Sequence, residues 1–141
     1  MPGCTACGLL LVSDVSNSPL IVPPDSSVQQ YVARPTLEDA YAAAQQRVHQ
    51  LQHHPEAWGY AGCTVECIET HISWLLLVGG HVYKFKKPLA LDFLDFSTAA
   101  LRLAACQEEL RINRRTAPHM YLDVVGVEGD GSDSRPWRVK P

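Results

Sequence analysis

Ile72-Ser73-Trp74-Leu75-Leu76-Leu77-Val78-Gly79-Gly80-His81-Val82-Tyr83-Lys84-Phe85-Lys86-Lys87 reads as two extended runs around a pair of glycines. Adjacent glycines take the positive φ angles of a tight hairpin turn at no steric cost, so residues 72–78 and 81–87 are expected to pair antiparallel. Side chains alternate along a strand. Tyr83 and Phe85 therefore point to one face, and Val82, Lys84 and Lys86 to the other. Lysines on a strand face usually mark solvent. In this chain the next helix supplies a reason to place them otherwise.

That helix is expected over residues 101–117, ending at Pro118, with Ser97 as its N-cap. At about 100° per residue, Leu101, Leu103, Ala105, Cys106, Leu110, Ile112 and Ala117 share one broad arc. Gln107, Glu108, Arg111, Arg114 and Arg115 lie opposite, the pattern of a helix laid on a core with one polar side. Glu109 sits inside the apolar arc and so calls for a buried cation. Lys84 and Lys86, one strand upstream, are the candidates. The local competitor is Arg102, two turns earlier and about 20° away around the helix. A strand lysine held by a glutamate of the following helix is how a kinase positions nucleotide phosphates.

Around this core lie Glu69-Thr70-His71-Ile72-Ser73-Trp74, then Val82-Tyr83-Lys84-Phe85-Lys86-Lys87-Pro88, Leu94-Asp95-Phe96-Ser97-Thr98, Glu108-Glu109-Leu110-Arg111-Ile112-Asn113-Arg114-Arg115 and Tyr121-Leu122. In this order and spacing they resemble the amino-terminal lobe of the aminoglycoside-phosphotransferase-like (protein-kinase-like) family of bacterial proteins that usually carry a P-loop ATPase domain as well. The resemblance covers residues 37–127 and is tightest over 69–122. Ordered blocks at compatible spacing are far more specific than any single motif.

The resemblance implies an α+β fold: a kinase-like amino-terminal lobe with an antiparallel sheet of about five strands and packed helices. It implies ATP as the ligand. Lys84 matches the lysine on the α and β phosphates, Glu109 matches the glutamate that orients it, and Lys86 is the fallback on the same strand face. Residues 64–68 would form the first strand and 69–73 the turn over the nucleotide. That turn has no glycine, so Thr70 and Ser73 hydroxyls or backbone amides would meet the phosphates. Phosphoryl transfer also needs a carboxylate for the attacking hydroxyl and side chains for magnesium. In the family these belong to the carboxy-terminal lobe, and neither that pattern nor a Gly-x-x-x-x-Gly-Lys-Ser/Thr run occurs here. The expectation is thus a nucleotide-positioning lobe with no catalytic or metal-ligating residue of its own. It would bind ATP weakly or not at all in isolation, take magnesium only with the missing lobe, and have that lobe or a P-loop domain as its partner. The alternative is a non-catalytic protein-interaction module derived from such a lobe.

Composition sets the remaining bounds. The 141 residues are 46% hydrophobic, enough for one small core. Residues 1–34, rich in Ser, Pro and Asp, read as a poorly ordered extension, and 35–141 as the lobe. Leu9 to Val12 is too short and lacks the basic leader for a signal peptide or a membrane span. The first regular element is a helix over 37–53, opened by Thr36 and Asp39 in a capping box and closed by Pro55, with Leu37, Ala40, Tyr41, Ala44, Val48 and Leu51 as its apolar stripe. Residues 121–127 read as a strand, 128–134 as an acidic loop, and 137–139 as the start of another strand.

Cys4-x-x-Cys7 and Cys63-x-x-x-Cys67 offer thiols, but the second pair lacks the turn residues of a zinc knuckle, and His49 and His53 have no evident third ligand. No metal site is expected. Five cysteines without a secretory signal point to reduced thiols in the cytoplasm. A net charge of −3 argues against nucleic-acid binding, and Arg111, Arg114 and Arg115 read as a solvated helix face. Sheet surface left bare by a missing lobe would favour self-association.

Overall fold

The computed structural model describes residues 8–13, 36–59 and 64–140. Its main sheet contains β1 (Gly8–Ser13), β2 (Val65–Glu69), β3 (Ser73–Val78), β4 (His81–Lys86), β7 (Tyr121–Glu128) and β8 (Arg138–Val139), in the order β2-β3-β4-β1-β7-β8. A separate small hairpin joins β5 (Ala90–Leu91) to β6 (Leu94–Asp95). Two helices complete the α+β architecture: α1 (Leu37–His53) and α2 (Ala99–Asn113). The sheet is thus larger than the expected five strands. It is also mixed, because β1 runs parallel to both of its neighbours.

The β3–β4 hairpin forms as its sequence dictates. Gly79 and Gly80 turn the chain with φ of 56° and 89°, a region that costs an L side chain strain, and Val78 pairs with His81 across the turn. Trp74, Leu76 and Val78 on β3 and Tyr83 and Phe85 on β4 are buried on one face. α1 covers that face with Ala44, Val48 and Leu51, and the short 3₁₀ turn Pro55–Trp58 adds Ala57 and Trp58. The capping box is present: Thr36 Oγ1 accepts from Asp39 N–H, and Asp39 accepts from Thr36 N–H. Two details of the stripe differ from expectation. Leu37 is exposed, whereas Arg47 is buried and stacks its guanidinium 4.6 Å from the Trp137 ring. An arginine buries its stem readily when a flat apolar surface receives its planar head.

The largest departure concerns the amino-terminal run. Leu9 to Val12, assigned from sequence to a poorly ordered extension, belongs to β1 in the middle of the sheet, with Leu11 and Val12 buried. β1 fills the place between β4 and β7, so its amides and carbonyls pair on both sides. The rest of residues 1–34 lies outside the described residues.

α2 packs against β1 and β7 on the opposite face of the sheet. It begins at Ala99, not 101, and its N-cap is Thr98, whose hydroxyl accepts from Leu101 N–H; Ser97 instead donates its amide to Asp95. The broad apolar arc is only partly used: Cys106 is fully buried, Leu103 and Leu110 are half-buried, and Leu101 and Ile112 are exposed. Among the described residues no helix is long and apolar enough to cross a membrane.

Candidate functional site

Lys84, Lys86 and Glu109 meet on the α2 face of the sheet. Lys84 Nζ donates to Glu109 Oε1 at 2.9 Å and Lys86 Nζ donates to Oε2 at 2.6 Å. One carboxylate is therefore held between two ammonium groups, each on its own oxygen. Arg102, the competitor on the same helix, is buried elsewhere and donates to the Phe96 carbonyl at 2.8 Å. The strand spacing explains the outcome: residues two apart on β4 point the same way, so a single glutamate on the helix above reaches both.

The two lysines are not equivalent. Lys86 has a side chain only 6% exposed and places its ammonium 5.1 Å from the centre of the Phe96 ring. Lys84 is 24% exposed and keeps a solvent-facing side. Leu75 on β3 and Leu11 on β1 are its in-register neighbours, so the Lys84 stem is flanked by leucines. Burial works to raise the Glu109 pKa, but the hydrogen bonds and charges of Lys86 and Lys84 outweigh it and hold the carboxyl below the ordinary glutamate range. The cluster thus carries two positive charges against one negative, in partly water-excluded surroundings. Such an excess favours an anion.

Thr70 and Ser73 are placed differently from expectation. Thr70 Oγ1 is engaged within the turn, donating to Ser73 C=O at 3.2 Å and accepting from Ser73 N–H at 3.0 Å. Ser73 is 1% exposed and stands opposite Lys86, its hydroxyl buried without a partner among the described residues. A threonine three residues before a turn's end closes that turn on its own backbone, which is the commoner use of the residue.

The residue missed from sequence is Lys87. Its side chain is buried and its ammonium lies 2.7 Å from Glu69 Oε1, 5.2 Å from the Trp74 ring centre and 5.9 Å from that of Tyr41. The signal was the lysine following Lys86, which a strict alternation sends to the opposite, core-facing side.

Of the thiol and imidazole candidates, the structure describes Cys67, His49 and His53. Cys4, Cys7 and Cys63 lie outside the described residues. Cys67 is half-buried on β2, its thiol pushed up by burial and by the Glu69 charge against the opposing Lys87. His49 and His53 stack at 4.2 Å on α1 with His53 Nδ1 bonded to the His49 carbonyl. Among the described residues no three His, Cys, Asp or Glu side chains converge as a metal site would require.

No family model matches the chain, and no solved structure matches it. It is similar to uncharacterized protein Mb2027c of Mycobacterium bovis and to uncharacterized proteins MT2060 and Rv2004c of Mycobacterium tuberculosis, each 40% identical over 61 residues. The matched stretch is 43% of this chain but 12% of each relative, so the chain spans a small part of the proteins it resembles.

Proposed function

We propose that the Lys84–Lys86–Glu109 cluster is a phosphate-positioning site for ATP, and that the chain is the nucleotide-positioning lobe of an aminoglycoside-phosphotransferase-like protein. The observation that carries the reading is the shared carboxylate. Two buried-side lysines on one glutamate leave one unneutralised positive charge, and the more exposed of them, Lys84, faces outward. Lys86 would hold Glu109 in place, and Glu109 would hold Lys84 at fixed reach, so that the ammonium is ordered before a phosphate arrives. The order of three strands, a short hairpin, a helix and a strand around this pair supports a kinase-like lobe. β1 between β4 and β7 is an addition to the five-stranded pattern.

Chemistry would require a base and magnesium ligands from a carboxy-terminal lobe, which the greater length of the relatives leaves room for. The chain of 141 residues alone is expected to bind ATP weakly and to transfer no phosphate. Calorimetric titration with ATP at low salt tests this. Binding that Lys84→Met abolishes supports the site; equal binding by that variant would remove Lys84 from it.

A second reading, a protein-interaction module, has its own observation. The β5–β6 hairpin exposes Phe93 at 83% and Leu91 beside it. Aromatic side chains displayed at a hairpin tip are typical anchors for a protein partner. Retention of a partner that depends on Phe93 and is indifferent to Lys84→Met would favour this reading.

A further inference from the structure

We infer that Lys87 is a positioning residue: bonded to Glu69 and caged by two aromatic rings, it latches the turn between β2 and β3 in a fixed place beside Lys86. The inference rests on the phosphate-site reading for its purpose, but its geometry stands independently.

The turn runs from Glu69 to Ser73 without a glycine. Glycine-free turns can be stiff, but their position still depends on what anchors them. Here the turn is closed internally by Thr70 N–H donating to Ser73 C=O at 2.9 Å and by the Thr70 hydroxyl bonds. It is tied to β4 by Lys87 N–H donating to Ile72 C=O at 2.8 Å. The Lys87 side chain then passes to the other face of the sheet and grips Glu69, the residue on which the turn begins, from behind. Glu69 pairs across the sheet with Trp74, and the Trp74 and Tyr41 rings flank the ammonium. A lysine buried this deeply keeps its charge only with compensation, which one carboxylate and two ring faces supply. Its main chain and side chain therefore hold both ends of one turn.

The held segment has amides to offer. His71 and Ile72 form the bend itself, outside the strand ladder, with His71 exposed and Ile72 half-buried. Ser73, next in the chain, is in register with Lys86. Successive amides of a turn beside a cationic cluster are the kind of groups that receive a phosphate oxygen. With both hydroxyls of the turn committed or buried, these amides are what the turn can present, and Lys87 sets where they sit.

The test uses the full chain with Lys87→Met, Lys87→Arg and Glu69→Gln, following amide exchange by NMR and ATP binding by calorimetry. Lys87→Met is expected to speed exchange at Thr70 and Ser73 about ten-fold while amides at the centre of β3 and β4 stay protected, and to weaken ATP binding about ten-fold. Lys87→Arg should restore both, since a guanidinium can pair with Glu69 and stack on the rings. Glu69→Gln, a change at a half-exposed site that leaves the core intact, should reproduce the faster exchange even if Lys87→Met does not fold. Unchanged exchange at Thr70 and Ser73 in both Lys87→Met and Glu69→Gln would overturn the latch. So would an increase spread evenly over the sheet, or tighter ATP binding. If the unmodified chain binds no ATP, the phosphate-site reading fails, and the exchange rates alone still decide the latch.

Discussion

Replacing Glu109 by glutamine removes one charge and almost no volume, and the structure sets the size of the effect. Lys86, with its side chain 6% exposed, cannot regain water when its carboxylate is lost. Removing one partner from a buried pair costs about 3–5 kcal/mol. Lys84 is 24% exposed and recovers part of its hydration, and the glutamine oxygen still accepts one bond, which brings the cost below that range, to about 2–3 kcal/mol. For a domain of this size that corresponds to a fall of about 8–12 °C in Tm. Urea unfolding followed by tryptophan fluorescence measures it directly. Lys86→Met in the same background should then recover more than half of the loss, because the stranded charge is gone and an apolar side chain fills its place beside Phe96. If Glu109→Gln unfolds within about 0.5 kcal/mol of the unmodified chain, or if the two changes simply add, the shared-carboxylate argument is wrong.

Other expectations follow from the same geometry. The Glu109 pKa is lower folded than unfolded, so the cluster stabilises the protein above the ordinary glutamate value of 4.5 and this contribution fades as pH falls below it through the native value; acid titration of unfolding free energy should show a shallower loss for Glu109→Gln. Leu11→Ala, at a fully buried position of β1, should cost about 2–5 kcal/mol, whereas a poorly ordered extension would give no change; thermal melts decide. Gly80→Val places a branched side chain at φ of 89° and should lower Tm by several degrees in the same assay. Phe93→Ser should reduce self-association seen by sedimentation without lowering Tm, since the ring is almost bare.

The readable parts of this chain are those whose cause is local. Period-two alternation plus Gly79-Gly80 specifies a hairpin, and Thr36 with Asp39 specifies a helix start, whatever the rest of the fold does. Glu109 was legible because a carboxylate inside an apolar arc needs a cation, and the preceding strand offered two. β1 was illegible for the opposite reason. A short apolar run becomes a central strand only when two edges from distant parts of the chain, β4 and β7, leave a place for it. Arg47 likewise gives no local sign of burial, since Trp137, the ring that receives it, lies far along the chain. The Thr70 hydroxyl turns to the nearest unpaired backbone groups, which in this turn are the amide and carbonyl of Ser73, while the Ser73 hydroxyl is buried on the strand opposite Lys86; neither outcome is written in the identity of the residue. The Ser97 to Thr98 shift exchanges one hydroxyl cap for its neighbour, a difference set by Asp95 capturing the Ser97 amide.

The most direct test of the phosphate site is to observe the ammonium groups of Lys84 and Lys86 by NMR, in protein labelled at lysine nitrogen, while ATP is added at low salt. The two should report differently. Lys84, outward-facing, is predicted to shift progressively and saturably with ATP, and Lys86, enclosed by Glu109 and Phe96, to move little while its bond to Glu109 persists. A flat response of Lys84 at millimolar ATP, or a shift confined to Lys86, would contradict the claim that this cluster positions a nucleotide phosphate.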